Sequence, residues 1–219
     1  MCAVLRQGSI SSISSMSAMA VAVLFLAGCS QTTTPPVGEV SGAAKVSAGP
    51  PVLVSGKTAY WPMYKSAHGW ASDVVIVRLS AKEVPGFTND AGKAAMWTAS
   101  FGSPSRHEYR VDTYAIASAL PDIHKGARDG LRLPWGGVTR DAMPIDFSSV
   151  TVDSDAAYQS AAADAAAWLK KNPGKKLTAF ELGNASKFNV PVWYLMWGDK
   201  KSGYVVFVDA MNGKVLKGK

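Results

Sequence analysis

The order of hydrophobic periods in residues 150–219 is the strongest constraint on what this chain can fold into. Residues 156–171 carry an apolar stripe at helical spacing, with Tyr158 near its start and Leu169 near its end. The residues that follow alternate instead with period two, which is typical of strands. Strands joined by short turns pair as an antiparallel meander, and the helix then covers one face. The sequence therefore predicts an α+β fold, with strands at residues 177–182, 190–197 and 204–208.

The residues at the ends of these elements support the same boundaries. Asp153 or Ser154 can cap the first amides of the helix, and Lys170 lies where the helix dipole is negative. Asn-Gly at residues 212–213 predicts a tight turn into a last short strand at 214–216. One face of the sheet should take the helix. The other face is also apolar, so it needs another cover.

Residues 204–216, which read Tyr-Val-Val-Phe-Val-Asp-Ala-Met-Asn-Gly-Lys-Val-Leu, resemble the end of PepSY-type domains. In that family a helix precedes strands that end in an aliphatic run, Asp-Ala, a small polar residue, Gly and a closing strand. Asn212 stands here in place of the more usual Thr. The resemblance covers residues 150–219. It implies an extracytoplasmic, non-catalytic domain of PepSY-like or cystatin-like form, which in some members is the propeptide or inhibitor of a peptidase.

The first half of the chain shows the same order of elements. Residues 97–102 (Trp-Thr-Ala-Ser-Phe-Gly) align with residues 193–198 (Trp-Tyr-Leu-Met-Trp-Gly), and both read Trp, three residues, an aromatic and Gly. Pro62 is acceptable in the first helix only if it lies in the first turn. Six aligned residues leave two interpretations open, a duplication, which we favour, and two unrelated hairpins. The elements are predicted as a helix at 60–70 and strands at 73–79, 95–101 and 108–116.

These patterns divide the globular part of the chain into three segments. A first α+β unit is predicted at residues 52–120, a Gly- and Pro-rich connector at 121–149 and the PepSY-like unit at 150–219. If the first unit is a copy of the second, each sheet would be covered by its own helix and by the other copy. That arrangement would account for strands that are apolar on both sides.

An apolar segment at residues 18–26 precedes a cysteine. As a helix it would rise only about 13 Å, well short of the roughly 30 Å hydrocarbon core, so it is typical of a signal peptide. Its last residues, Leu26-Ala27-Gly28-Cys29, resemble the lipobox of bacterial lipoproteins. The resemblance implies that residues 1–28 are cleaved, that the Cys29 thiol is acylated with chains such as palmitate, and that these chains anchor the protein to the membrane. An uncleaved anchor, or a secretory signal cut elsewhere, is the alternative.

Two further expectations concern the anchored form. By the same resemblance Ser30, where an Asp would signal inner-membrane retention, favours the outer membrane facing the periplasm. Residues 29–51 are rich in Thr, Pro and small residues and show no period, so they predict a flexible linker between the lipid and the globular part.

Charge and cysteine content narrow the classes of function. The formal net charge is +7, and cleavage of the signal peptide removes one positive charge with Arg6. The lysines come in pairs typical of loops and helix ends, and an envelope protein has little access to nucleic acid, so no nucleic-acid partner is expected. Both cysteines, Cys2 and Cys29, precede the predicted units. A disulfide, a cysteine zinc site and a cysteine nucleophile are therefore excluded within them.

No catalytic or metal-binding constellation is visible. His68, His107 and His124 lack the spacing of a zinc site on a helix, and no cofactor motif occurs. Trp193 and Trp197 lie on the same side of one predicted strand, so they are candidate binding residues for a sugar ring or an apolar peptide. Filling the core is the interpretation we favour for both.

Together these observations predict a non-enzymatic, lipid-anchored binding module of the bacterial cell envelope. Its partner would be a protein or peptide, such as a peptidase or another secreted protein. One alternative is a hydrolase built from scattered polar residues, in which His107 or His124 should face a carboxylate in a cleft. Another is a structural lipoprotein that binds the cell wall or lipopolysaccharide through its positive charge.

Overall fold

Two helices begin at side chains that cap their first amides. The structure, a computed structural model, describes residues 50–119, 121–184 and 186–217. Helix α1 spans Gly56–Trp70, and the Ser55 side chain accepts a hydrogen bond from the Thr58 amide. Helix α2 spans Ser154–Lys171, with Asp153 as its N-cap. The second helix is confirmed with the predicted cap.

The start of α1 differs from the prediction. The helix begins at Gly56 rather than Tyr60, so Pro62 lies in its interior and not in its first turn. Pro62 has no N–H to donate, and the Thr58 carbonyl therefore lacks the usual partner one turn later. The Ser55 cap and a contact of Gly56 with α2 stabilise the early start, and neither is visible in local propensity.

Every predicted strand is present, and two short strands also form inside the segment predicted as a connector. The described residues form β1 (Val75–Lys82), β2 (Met96–Ser103), β3 (Glu108–Ala115), β4 (Gly126–Arg128), β5 (Arg132–Pro134), β6 (Leu177–Asn184), β7 (Pro191–Trp197), β8 (Tyr204–Asp209) and β9 (Val215–Leu216). All nine belong to one antiparallel sheet. Its order is β4-β3-β2-β1-β6-β7-β8-β9, with β5 also paired to β3.

The two halves join edge to edge. Residues 78–80 of β1 pair with residues 181–183 of β6, which makes the sheet continuous. Helix α1 packs on β1 to β4 and α2 on β7 to β9, and both contribute to one buried core. The expectation that each half covers the other half's sheet is therefore wrong, because pairing of the two free edges satisfies their main-chain groups. On the sheet face away from the helices, Val111 and Val205 remain 38% and 42% exposed.

The aligned tryptophans occupy equivalent places in the two halves. Nε1 of Trp97 on β2 donates to the Val54 carbonyl at 3.0 Å, and Nε1 of Trp193 on β7 donates to the Val152 carbonyl at 2.9 Å. Each carbonyl lies directly before the N-cap of its half's helix. The indole rings meet edge to face with centroids 6.2 Å apart. The two halves therefore share one plan, related by an approximate two-fold axis at the β1–β6 pairing.

The N-termini of the two helices meet on this axis. The Gly56 amide donates to Ser154 Oγ at 2.8 Å, and the Lys57 amide donates to Asp153 Oδ1 at 2.9 Å. A side chain at Gly56 would not fit, because its Cβ would lie 2.8 Å from the Trp193 ring. Asp153 thus caps its own helix and also satisfies an amide of the other.

Candidate binding groove

A groove of about 800 Å³ opens beside the β1–β6 pairing, between α2 and the loop that connects β1 to β2. We call it the β1–β6 groove. It exists because the two strands diverge: β1 pairs with β2 over seven residue pairs but with β6 over only three. Strand β6 also begins with a bulge between Leu177 and Ala179, where the Thr178 hydroxyl donates to the Gly198 carbonyl at 2.6 Å. This bulge bends the start of β6.

The floor of the groove is apolar and comes largely from the second half of the chain. Tyr158 and Leu169 project from α2, while Phe180 and Trp197 come from the sheet. Tyr158 and Trp197 pack with ring centroids 6.1 Å apart. Such a floor, together with main chain from two strand ends, suits a ligand that has both apolar groups and hydrogen-bonding groups.

Charged side chains surround this floor. Lys93, Lys175 and Lys176 are exposed lining residues, and they outnumber the exposed acids Glu83 and Asp90. Lys175 also approaches a carboxylate outside the groove, Asp199, at 3.5 Å. Hydrogen bonds from Ser202 and from backbone amides lower the pKa of that carboxyl to about 2, so it remains charged at neutral pH.

The structure separates the two tryptophans that the sequence marks as candidate binding residues. Trp193 is fully buried at 0% exposure, between the two helices and the sheet, where it fills the core. Trp197 is 3% exposed and lines the groove. Cys29, the predicted lipid attachment site, lies outside the described residues, as do the signal peptide and most of the predicted linker at residues 29–51.

The histidines do not assemble a site with the groove. His68, His107 and His124 are all exposed, and the residues that line the groove include no histidine, serine or cysteine. The described ranges contain no group of three or more His, Cys, Asp or Glu side chains that could hold a metal ion. Among the same residues, no helix is both long enough and apolar enough to cross a membrane.

A buried ion pair beneath α1 is the main polar feature that the sequence did not reveal. Arg110 is 1% exposed and donates to Asp112 at 2.8 Å, and its guanidinium lies 5.0 Å from the Trp70 ring. Burial raises the pKa of Asp112 to about 6, against the opposing effects of the Gly130 amide and Arg110. Arg110 Nε and Trp70 Nε1 find no hydrogen-bond partner among the described residues. The alternation of β3 places Arg110 and Asp112 on one face, which is the only sequence signal for this pair.

Comparison with known proteins gives little further information. No family model matches the chain, and no curated protein matches it. A solved structure with some similarity is that of a "putative lipoprotein" from Clostridium difficile 630. The two chains are 16% identical with a TM-score of 0.47, and the match covers 73% of this chain and 90% of that one. Likeness at this level carries no conclusion about function, so the PepSY resemblance and the lipidation of Cys29 stay predictions.

Proposed function

We propose that this protein is a lipid-anchored binding module of the bacterial cell envelope, and that the β1–β6 groove is where its partner binds. The observation that carries the proposal is the groove itself. Its volume of about 800 Å³ lies within the range of ligand sites, and an apolar floor is combined with charged surroundings. The hydrolase alternative would place His107 or His124 against a carboxylate in a cleft, and neither histidine lines the groove, which favours binding over that alternative.

The proposed anchor is the acylated thiol of Cys29. The apolar segment at residues 18–26 and the lipobox-like residues 26–29 support it. Two or three acyl chains at one residue would hold the protein stably at a bilayer, whereas a single chain holds only marginally. The PepSY-like ending at residues 204–216 agrees with an extracytoplasmic location and suggests a peptidase or another secreted protein as partner. The outer membrane, facing the periplasm, is the location we propose.

A photo-crosslinking amino acid tests the groove in cells. We expect crosslinker in place of Lys93, an exposed lining residue, to capture a partner that crosslinker in place of Val111 does not capture. Val111 is the matched control because it is exposed on the opposite face of the sheet. The captured partner, once identified and purified, should bind the protein with an affinity that falls in Tyr158→Ala. Equal capture from both positions, or none from Lys93, would contradict the assignment of the groove.

Mass spectrometry tests the anchor separately. The protein from its native cells should begin at Cys29 and carry acyl chains, and Cys29→Ser should carry none. An intact, unmodified N-terminus beginning at Met1 would overturn the anchor and leave the groove to be judged on its own test.

A further inference from the structure

The chain itself fills a second cleft, at the other end of the β1–β6 pairing. There the Met143 amide donates to the Asn184 carbonyl at 3.2 Å, and the Ile145 amide donates to the Ile76 carbonyl at 2.8 Å. Residues 143–147 therefore bond to β1 and to β6, where those two strands diverge. We call this filled site the closed cleft.

Two apolar side chains anchor the segment in the closed cleft. Ile145 and Phe147 are only 5% and 9% exposed and belong to the main core. The Phe147 ring stacks on Tyr60 of α1 with centroids 3.5 Å apart. Asp146, between them, is exposed. The segment thus combines strand-like main-chain bonds with two buried side chains two residues apart.

The main-chain acceptors of the closed cleft have equivalents in the groove. Strand β1 carries a bulge between Ile76 and Arg78, as β6 does at Leu177, so the two bulges occupy the same place in the two halves. In the same alignment, Asn184 at the end of β6 corresponds to Glu83 directly after β1. Leu177 and Glu83 both line the groove. Their carbonyls correspond to the two that hold Met143 and Ile145.

The aromatic contacts of the closed cleft also have equivalents. Tyr60 and Tyr158 occupy the same position in their helices, because each lies five residues after the N-cap, Ser55 and Asp153 respectively. Tyr60 lies 6.3 Å from Phe101 on β2, and Tyr158 lies 6.1 Å from Trp197 on β7. Tyr158 and Trp197 line the groove. Within residues 50–119, 121–184 and 186–217, however, no segment stacks on Tyr158 as Phe147 stacks on Tyr60.

We propose that the β1–β6 groove binds an extended peptide segment of a partner protein, which adds as a short strand and inserts two large apolar side chains two residues apart. The amide of the first apolar residue would donate to the Leu177 carbonyl, and the amide two residues earlier to the Glu83 carbonyl. The second apolar residue, an aromatic, would stack on Tyr158. This inference rests on the proposed function, because it names the kind of partner that the same groove accepts.

Charge selects the residue between the two apolar side chains. Lys93 and Lys176 are exposed lining lysines that make no ion pair among the described residues, whereas Lys175 approaches Asp199 at 3.5 Å. An acidic residue at the middle position of the peptide complements these two lysines. Asp146 occupies that position in the closed cleft.

The test uses the chain's own segment as a probe. A labelled synthetic peptide with the sequence of residues 141–149 should bind saturably to the full-length protein in a fluorescence anisotropy titration. Methylating the peptide nitrogen at the Ile145 position should weaken binding at least about tenfold, because it removes the main-chain donor. Methylating the next nitrogen, at the Asp146 position, should leave the affinity unchanged. Serine at the Ile145 or Phe147 position should also weaken binding at least about tenfold.

Variants of the protein locate the binding site. Tyr158→Ala should weaken peptide binding at least about tenfold through loss of the aromatic stack. Trp61→Ala is the matched control, since this aromatic on α1 is 56% exposed and does not line the groove. Thermal unfolding checks that both variants fold. Lys93→Glu, at an exposed position, provides a second readout. It should weaken binding of the peptide that has Asp at the middle position and strengthen binding of a peptide that has Lys there.

The outcomes separate this inference from the proposed function. If the crosslinker at position 93 captures a partner in cells but none of these peptides binds, the strand proposal is wrong and the proposed binding module stands. Binding that is insensitive to methylation at the Ile145 position would show that the peptide does not add as a strand, and it would overturn the proposal. Crosslinking from position 93 to residues 30–49 of the same chain would assign the groove to that segment, with the same consequence.

Discussion

In each half of the sheet, a cluster of hydrogen-bonded side chains links the helix, the third strand and the outer edge. The clusters occupy equivalent positions in the two halves, but their residue types differ. In the first half the central residue is Arg110 on β3. Its guanidinium donates to Ser66 Oγ on α1 at 3.1 Å and to Asp129, directly after β4, at 3.2 Å. The side chains of Ser66 and Asp129 also bond to each other.

In the second half the corresponding residues are Asp164, Tyr204 and Lys217. The Tyr204 hydroxyl on β8 donates to Asp164 on α2 at 3.0 Å, and Lys217, directly after β9, bonds to the same carboxylate. The positive charge thus lies on the third strand in the first half and at the outer edge in the second. The negative charge lies at the outer edge in the first half and on the helix in the second.

Burial distinguishes the two clusters. Arg110 is 1% exposed and has Asp112, at 0%, as an additional partner, whereas the Lys217 side chain is 74% exposed. Val206 occupies the place of Asp112 in the second half, since it pairs with Leu195 as Asp112 pairs with Ala99. One plan therefore tolerates either a charged or an apolar interior on its third strand. We expect the first half to depend on matched charges and the second half not to.

Removal of one buried charge should have the largest effect. Arg110→Ala should lower the free energy of unfolding by about 3–5 kcal/mol, because it leaves Asp112 buried without its partner. Urea unfolding followed by tryptophan fluorescence measures the change.

The matched control gives the first half an uncharged interior on its third strand, as in the second half. Arg110→Leu combined with Asp112→Val removes both charges and should recover most of the stability that the single variant loses. A double variant as unstable as Arg110→Ala would show that the charges themselves are needed for folding of this half.

Asp112 should give the first half a pH dependence of stability opposite in direction to that of the second half's carboxylates Asp164 and Asp199. Its pKa of about 6 in the folded state lies above the ordinary value of 3.8, so between these values the folded state binds more protons than the unfolded state. The stabilisation is fully present below about pH 4 and is lost as the pH rises through about 6. Since one pKa unit corresponds to about 1.4 kcal/mol, the loss amounts to at most about 3 kcal/mol.

The difference in unfolding free energy between the natural protein and Asp112→Asn, measured from pH 4 to 8, isolates this effect. Subtraction is needed because hydrogen bonds lower the pKa of Asp73, Asp164 and Asp199, and these carboxylates change stability in the opposite direction as the pH falls. A flat difference curve would show that Arg110 keeps Asp112 charged throughout this range.

The period of the hydrophobic residues predicted most of the elements, because period is a local property. Helix α2 and the strands β1 to β3 and β6 to β8 follow from it, whereas β4 and β5 were not predicted. The Asp153 cap follows from its residue type, and the aligned tryptophans at 97 and 193 indicated the repeated plan. The early start of α1 did not follow, since it depends on a contact between Gly56 and Ser154, residues far apart in sequence.

The joining of the halves and the groove also depend on tertiary structure. Strands that are apolar on both sides are compatible with stacked sheets and with one continuous sheet, and only the β1–β6 pairing decides between them. Trp197 was a candidate binding residue because of its residue type, but its place in the groove results from the bulge at Leu177 and from the loop after β1. Neither feature has a periodic signal in the sequence.

The equivalent tryptophans should contribute similarly to stability. Trp97→Phe and Trp193→Phe each remove a hydrogen bond to the carbonyl before a helix N-cap, and we expect each to cost about 1–2 kcal/mol of unfolding free energy. Urea unfolding measures both. If one variant lost several times more than the other, the two-fold equivalence would not extend to energetics.

The smallest effect is expected at the exposed cluster of the second half. Lys217→Ala removes the bond to Asp164, but the lysine side chain is 74% exposed and pairs of this kind are screened by salt. We expect the unfolding midpoint to be unchanged within error at 0.15 M salt, and any difference that appears at low salt to disappear as salt is added. Because Lys217 and Asp129 occupy equivalent positions, a loss here as large as that of Arg110→Ala would show that the outer edges, rather than the buried pair beneath α1, hold the two halves in place.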